Sequence, residues 1–158
     1  MFFDSHAHFD DEKFENDRND VIKTCYKEGI TNIVTAGYSI KSSLEALEIA
    51  KKYDFIYATA GISPNDIEEN IENLDSQILQ LEKIASNEKV VAIGEIGLDY
   101  YWNKENIDFQ KYAFVKQIEI ANKLKLPIVI HTRDAVMDTL EILKTNRVVK
   151  KGVFIAAH

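Results

Sequence analysis

The feature that most constrains the fold of this chain is a regular alternation of short β-branched or aromatic runs with longer amphipathic stretches. The short runs predict six strands, at Phe2–His6, Asn32–Ala36, Phe55–Ala60, Val90–Gly94, Pro127–His131 and Gly152–Ala156. Apolar residues at helical spacing predict five helices between them, at Asn19–Glu28, Ser42–Tyr53, Leu74–Ala85, Phe109–Leu126 and Ala135–Thr145. Strands that alternate with helices in this way are parallel and joined by right-handed crossovers.

Two α/β architectures satisfy this pattern, an open doubly wound sheet and a TIM-type (β/α) barrel. A doubly wound nucleotide-binding sheet begins with a glycine-rich turn after its first strand, and none is present. Instead, His6, His8, Glu95 and His131 stand at the carboxyl ends of predicted strands. Because barrel enzymes carry their catalytic residues there, we expect a barrel. A closed barrel needs about 250 residues, so residues 1–158 form a single domain with about five βα units and a sixth strand.

The charge balance limits the classes of function. The 158 residues include 26 acidic and 19 basic side chains, a formal net charge of −7. This argues against a broad basic surface for nucleic acid, whose affinity comes from lysine and arginine. The lone Cys25 fits a reducing compartment. The charged N-terminal run does not resemble a secretory signal, and no run approaches the roughly 18 apolar residues of a membrane span. We therefore expect a cytoplasmic protein without a membrane segment.

The strand-end residues form a candidate metal site. His6 and His8 lie two positions apart, so their side chains face the same side of a strand and can reach one metal. Glu95 directly follows an apolar strand, where a divalent cation would keep its carboxylate ionised. With His131, this set suits Zn, Mn or Mg. Each residue also has a structural alternative: surface histidines, a glutamate paired with lysine, or a histidine bonded to backbone.

A carboxylate that bridges two metals would supply the local positive charge that the chain as a whole lacks. Such a centre polarises a phosphoryl oxygen and activates water. Two neighbouring features are less specific. Arg133 suits a phosphate oxygen or serves as a surface residue. The aromatic residues Tyr100, Tyr101 and Trp102 either stack on a base or pack over the barrel rim.

Three motifs resemble those of the TatD family of metal-dependent hydrolases, within the amidohydrolase-like barrels. The motifs are DSHAHFD, GEIGLDYYW and PIVIHTRDA, in that order, and the resemblance extends to about Phe154. It implies a (β/α) barrel with two divalent cations. It also implies that His6 and His8 match the first metal pair, that Glu95 is the bridging ligand and a catalytic residue, and that His131 binds the second metal.

The resemblance further implies a deoxyribonuclease or broader phosphodiesterase that uses a metal-activated water, with DNA or another phosphodiester as substrate. We expect Ser63, Tyr100 and Arg133 to contact that substrate. Two alternatives stay open. One is a related barrel hydrolase that acts on amide or lactone bonds, and the other is a truncated chain without efficient catalysis.

The sequence departs from the family pattern at several positions. Ser63 and Asn65 stand where many members carry histidines. Ile155 stands where another metal-ligating histidine is expected, His158 comes three residues later, and the family's last aspartate ligand would lie beyond His158. We expect a shortened barrel to leave an open sheet edge and exposed apolar surface, and therefore to be only marginally stable.

Overall fold

The computed structural model describes residues 1–148 and, as a strand, residues 153–157. Gly152, the predicted start of the last strand, and His158 lie outside the described residues, as do Lys150 and Lys151. Within the described residues, no helix is both long and apolar enough to cross a membrane.

The described residues form one six-stranded sheet in which every neighbouring pair is parallel. The strands are β1 (Phe2–Ala7), β2 (Ile30–Thr35), β3 (Ile56–Ala60), β4 (Val90–Asp99), β5 (Ile128–Arg133) and β6 (Val153–Ala157). They lie side by side in the order of the sequence. A doubly wound sheet would reverse its strand order, so the structure confirms the prediction of an α/β fold made of consecutive barrel units.

Among the described residues, five α-helices connect the strands: α1 (Arg18–Lys27), α2 (Ile40–Lys52), α3 (Ile71–Ala85), α4 (Ile107–Leu124) and α5 (Val136–Thr145). Polar caps account for two of their starts. The Ser39 hydroxyl accepts the backbone N–H of Ser42, and the Asn70 side chain accepts those of Glu72 and Asn73. The Asn70 cap explains why α3 begins before Leu74, the start predicted from the apolar pattern alone.

Strand β4 is longer than predicted and continues past Gly94 to Asp99. Glycine normally weakens a strand, but here β4 and β5 approach too closely for a side chain. A Cβ atom on Gly94 would lie 2.5 Å from the Val129 Cβ atom, and one on Gly97 would lie 2.0 Å from the His131 carbonyl oxygen. Gly97 also adopts φ +145°, which side-chain-bearing residues rarely do. The extension places Asp99 at the same end of the sheet as His131.

The hydrophobic core fills the space between the sheet and its helices. Its largest fully buried side chains come from strands, helices and, at Ile62, the loop after β3. The others are Ile22, Ile33, Ile56, Leu74, Leu81, Ile93, Ile96, Leu98, Phe114, Ile118 and Ile128. The apolar stripes seen in the sequence therefore face the sheet, as amphipathic helices of this architecture do.

A lysine stabilises the amino ends of β3 and β4. The Lys89 ammonium donates to the carbonyl oxygens of Tyr53, Asp54 and Ile56 at 2.9, 3.2 and 3.1 Å. The same ammonium lies 5.0 Å from the centre of the Tyr57 ring. These contacts lie at the opposite ends of the strands from the histidines.

Candidate metal centre

His6 lies in β1, His8 directly follows that strand, and Glu95 lies within β4 rather than after its end as predicted. Their three side chains meet at one point. The Nε2 atoms of His6 and His8 are 3.1 Å apart, and the Glu95 Oε2 atom lies 3.7 and 3.8 Å from them. No other group of three or more potential ligands gathers so closely in the described part of the chain. Both histidines are partly buried and Glu95 is buried.

Backbone and side-chain bonds position this cluster. The His8 Nδ1 atom lies 3.1 Å from the carbonyl oxygen of Ala36, which follows β2. A proton on Nδ1 donated to that oxygen leaves Nε2 with a lone pair, the form that binds metals. The Glu95 backbone N–H donates to the Gly37 carbonyl oxygen at 2.8 Å. The segment after β2 therefore fixes both His8 and Glu95.

The three donor atoms suit one divalent cation. Metal–ligand bonds of about 2.1 Å at tetrahedral angles place donor atoms about 3.4 Å apart, close to the separations among these nitrogen and oxygen atoms. Two imidazoles and one carboxylate are also a mixed set that Zn and Mn accept. In the described residues, the Glu95 carboxylate pairs with these imidazoles and not with a lysine.

His131 lies outside this three-residue cluster but lines the same cavity. Its Nε2 atom lies 2.9 Å from the Oδ2 atom of Asp99. Asp99 has no exposed surface. The Gln110 side-chain amide accepts the Asp99 backbone N–H at 2.8 Å and donates to the Asp99 carbonyl oxygen at 3.1 Å. A buried carboxylate that bonds a histidine orients the imidazole ring.

The Asp99 carboxylate is kept ionised despite its burial. The Asn65 amide donates to its Oδ2 atom at 3.3 Å, and the backbone N–H groups of Tyr101 and Trp102 donate to its Oδ1 atom at 3.0 and 3.2 Å. Burial alone would raise its pKa, but the hydrogen bonds from His131 and these donors outweigh it and hold the pKa of Asp99 below its ordinary value.

A cavity of about 340 Å³ opens beside the cluster. It is lined by His8, Asp11, Tyr38, Ser63, Asn65, Glu95 and His131. Of the three residues predicted to contact substrate, only Ser63 lines it. The Ser63 hydroxyl donates to the Asp66 carboxylate at 2.8 Å and accepts the backbone N–H of Asn65 at 3.2 Å. Burial raises the pKa of Asp66.

The structure places Tyr100 and Arg133 away from this cavity. The Tyr100 hydroxyl donates to the Asp138 carboxylate at 2.8 Å, and its ring packs against the core. Burial and this hydrogen bond raise the pKa of Tyr100 far above its ordinary value. The Arg133 guanidinium lies 3.7 Å from the centre of the Tyr101 ring.

Three contributors to the site were missed in the sequence. Tyr38 follows the carboxyl end of β2, the same strand-end position that singled out the histidines, and Asp11 continues the first motif. Asp99 directly precedes the aromatic residues Tyr100 to Trp102, and no local pattern links it with His131. Because strand residues alternate, Glu95, Gly97 and Asp99 would have pointed to a shared face had β4 been extended to Asp99.

Comparison with known proteins is consistent with these observations. A model of the family described as TatD related DNase matches residues 3–156. An uncharacterized metal-dependent hydrolase of Bacillus subtilis (strain 168), YabD, is 41% identical over 144 residues, which are 91% of this chain and 55% of the relative. The 3'-5' ssDNA/RNA exonuclease TatD of Escherichia coli (strain K12) is 33% identical over 133 residues, which are 84% of this chain and 50% of that protein.

A solved structure shows the same fold. The TatD homolog YJJV of Escherichia coli K12 superposes with a TM-score of 0.81 at 26% identity, covering 93% of this chain and 56% of that one. The chain spans about half the length of the curated relatives it matches.

Proposed function

The chain belongs to the TatD-related DNase family, and from this membership and its site geometry we propose that it is a metal-dependent hydrolase of phosphodiester bonds in DNA. The observation that carries the proposal is the convergence of His6, His8 and Glu95 on one point beside a cavity. The relatives named as exonucleases support a nucleic acid substrate, and those named as metal-dependent hydrolases support the use of metal.

Two divalent cations, Mg, Mn or Zn, are proposed for this site. His6 and His8 would hold the first, Glu95 would bridge both, and His131 would hold the second. Cations at these positions supply Lewis acidity toward a phosphoryl oxygen and lower the pKa of water. They would also offset the negative charge of the chain at the one place where an anionic phosphodiester must bind.

The residues of the chain itself have three tasks in this proposal. The Ala36 carbonyl oxygen would hold the His8 ring in the metal-binding tautomer by accepting a proton from Nδ1. Asp99 fixes the His131 ring from the side. Ser63 would contact the substrate from within the cavity. Arg133 and Tyr100 would contact the nucleic-acid strand outside the cavity, with the Tyr100 hydroxyl held by its hydrogen bond to Asp138.

The experiment that tests this function measures cleavage of single-stranded DNA and of a small phosphodiester by the metal-loaded chain. We expect turnover that requires added Mn or Mg, stops with EDTA, and is lost in Glu95→Gln but not in the exposed control Glu72→Gln. Cleavage that persists with EDTA would refute the metal chemistry.

Substrate controls separate the alternatives. Cleavage of an amide or lactone panel without phosphodiester cleavage would assign the related hydrolase activity instead. No turnover on any substrate would show that this chain lacks efficient catalysis. We also propose a cytoplasmic location, supported by the single cysteine, which has no partner for a disulfide within the chain. Recovery of the native protein in a membrane or secreted fraction would contradict that location.

A further inference from the structure

Two exposed aromatic rings and an arginine form a cluster next to the metal centre, here called the aromatic rim: Tyr101, Trp102 and Arg133. Tyr101 and Trp102 are 52% and 67% exposed, and their ring centres lie 4.8 Å apart at right angles. The Arg133 guanidinium lies 3.7 Å from the centre of the Tyr101 ring and 5.4 Å from that of Trp102. These rings are therefore not core residues, although aromatic side chains usually bury most of their surface.

The rim is held in place by the site itself. The backbone N–H groups of Tyr101 and Trp102 both donate to the Asp99 carboxylate, which also bonds His131. Arg133 ends β5, two residues after His131. The Asp99 carboxylate consequently holds both the aromatic rim and the His131 ring in place.

The rim is also continuous with the metal-centre cavity. A second cavity, of about 460 Å³, is lined by Asn65, Trp102 and Asn103. Asn65 lines the first cavity as well, so the two spaces meet at this residue. A bound strand with a phosphodiester beside Glu95 can therefore extend past Asn65 onto Trp102.

We propose that the aromatic rim is a stacking subsite for an unpaired base next to the phosphodiester at the metal centre, with Arg133 binding a backbone phosphate. The proposal rests on the proposed function. Aromatic faces bind any base by stacking. A guanidinium that stacks on a ring leaves its N–H edge directed outward, where it suits phosphate oxygens. Bases within a duplex are already stacked on each other, so the subsite favours single strands.

Trp102 makes the proposal directly measurable because it is the only tryptophan of the chain. With Mn present and a short oligothymidylate whose phosphorothioate linkages resist hydrolysis, we expect the strand to quench tryptophan fluorescence. A sugar-phosphate strand of equal length without bases should leave the fluorescence unchanged, and a duplex should quench far less. Equal quenching by duplex and single strand, or none by the single strand, would overturn the subsite.

Variants test the same contact by anisotropy of a labelled oligothymidylate. Trp102→Ala should weaken binding about 5- to 150-fold, the range for loss of one base–aromatic stack, and Trp102→Phe should restore most of it. Tyr26→Ala is a matched control, since Tyr26 is 50% exposed and rests on Phe55 at 4.5 Å between ring centres. Unchanged affinity in Trp102→Ala, or an equal loss in Tyr26→Ala, would refute the role of the rim.

The outcomes distinguish failure of the stacking subsite from failure of the proposed hydrolase function. Quenching without metal-dependent cleavage by the wild-type chain would retain the subsite and refute the hydrolase. Cleavage of a phosphodiester without quenching would retain the hydrolase and refute the subsite.

Discussion

Replacing the buried Asp99 by asparagine tests the bond network that connects the metal centre to the aromatic loop. Asparagine has the same shape, and its oxygen can still accept the backbone N–H groups of Tyr101 and Trp102. Its amide nitrogen then replaces the oxygen that faces His131 and Asn65, at 2.9 and 3.3 Å. Two donors would oppose each other at Asn65, and His131 would lose its anionic partner.

The cost follows from these two contacts. A short hydrogen bond between His131 and the buried charge contributes about 1.5–3 kcal/mol, and the longer bond from the uncharged Asn65 amide contributes about 0.5–1 kcal/mol. Asp99→Asn should therefore lower the free energy of unfolding by about 2–4 kcal/mol at pH 7, a large share of the 5–15 kcal/mol typical of a folded protein. If His131 binds metal, affinity for Mn should also fall about 10–100-fold.

The dependence on pH has a defined sign. The folded-state pKa of Asp99 is lower than its ordinary value, so its contribution is present above about pH 4 and is lost as the pH falls through the folded-state pKa. Wild type and Asp99→Asn should therefore converge in stability under acid conditions. Urea unfolding at neutral pH and at acid pH, followed by circular dichroism, measures both the gap and its disappearance.

Two controls isolate the cause. Asp54→Asn changes an exposed aspartate by the same atoms and should shift stability by less than about 0.5 kcal/mol. Asn65→Asp combined with Asp99→Asn restores a donor–acceptor pair at Asn65 but not at His131, so it should recover only the smaller part of the loss. A single variant Asp99→Asn as stable as wild type at pH 7 would refute the reasoning.

Three further outcomes are expected. Glu95→Gln should weaken Mn affinity by more than about 100-fold in calorimetric titration, since even outer-shell changes cost 10–100-fold. Gly97→Ala should destabilise the fold by about 2–5 kcal/mol in urea unfolding, because its Cβ atom would overlap the His131 carbonyl oxygen at a φ that favours glycine. Lys89→Met should lower the unfolding free energy by about 1–2 kcal/mol while leaving Mn affinity unchanged.

Each of these expectations has a contradicting result. Tight Mn binding by Glu95→Gln would show that the carboxylate is not a ligand. A Gly97→Ala chain with the unfolding midpoint of wild type would show that β4 and β5 can separate freely. Weaker Mn binding by Lys89→Met would show that the two ends of the strands are coupled.

The parts of the fold that follow from local periodicity could be predicted from the sequence. Strands such as Ile128–Arg133 and helices such as Ile107–Leu124 have distinct spacings of apolar residues, and these spacings indicate the element type. The end of β4 could not be predicted in this way. Gly94 is a strand breaker by local preference, and only the close approach of β5 makes glycine necessary there.

In the candidate site too, some residues are indicated by local sequence and others depend on contacts between distant parts of the chain. His6 and His8 stand out because the end of β1 is a local feature of the sequence, whereas Glu95 stands out at a predicted strand end that the structure places inside β4. The bond between Asp99 and His131 joins residues far apart in the chain, and nothing local indicates it. The side-chain partner of Tyr100, an aspartate on a later helix, also depends on packing rather than on spacing.

Lys89, just before β4, binds three carbonyl groups at or just before the start of β3, at the opposite ends of the strands from His8. The contacts that stabilise the fold and the candidate metal site thus lie at opposite ends of the strands, as in barrels generally. Substitutions in the loops around His8 and Ser63 should therefore leave the Lys89 contacts intact.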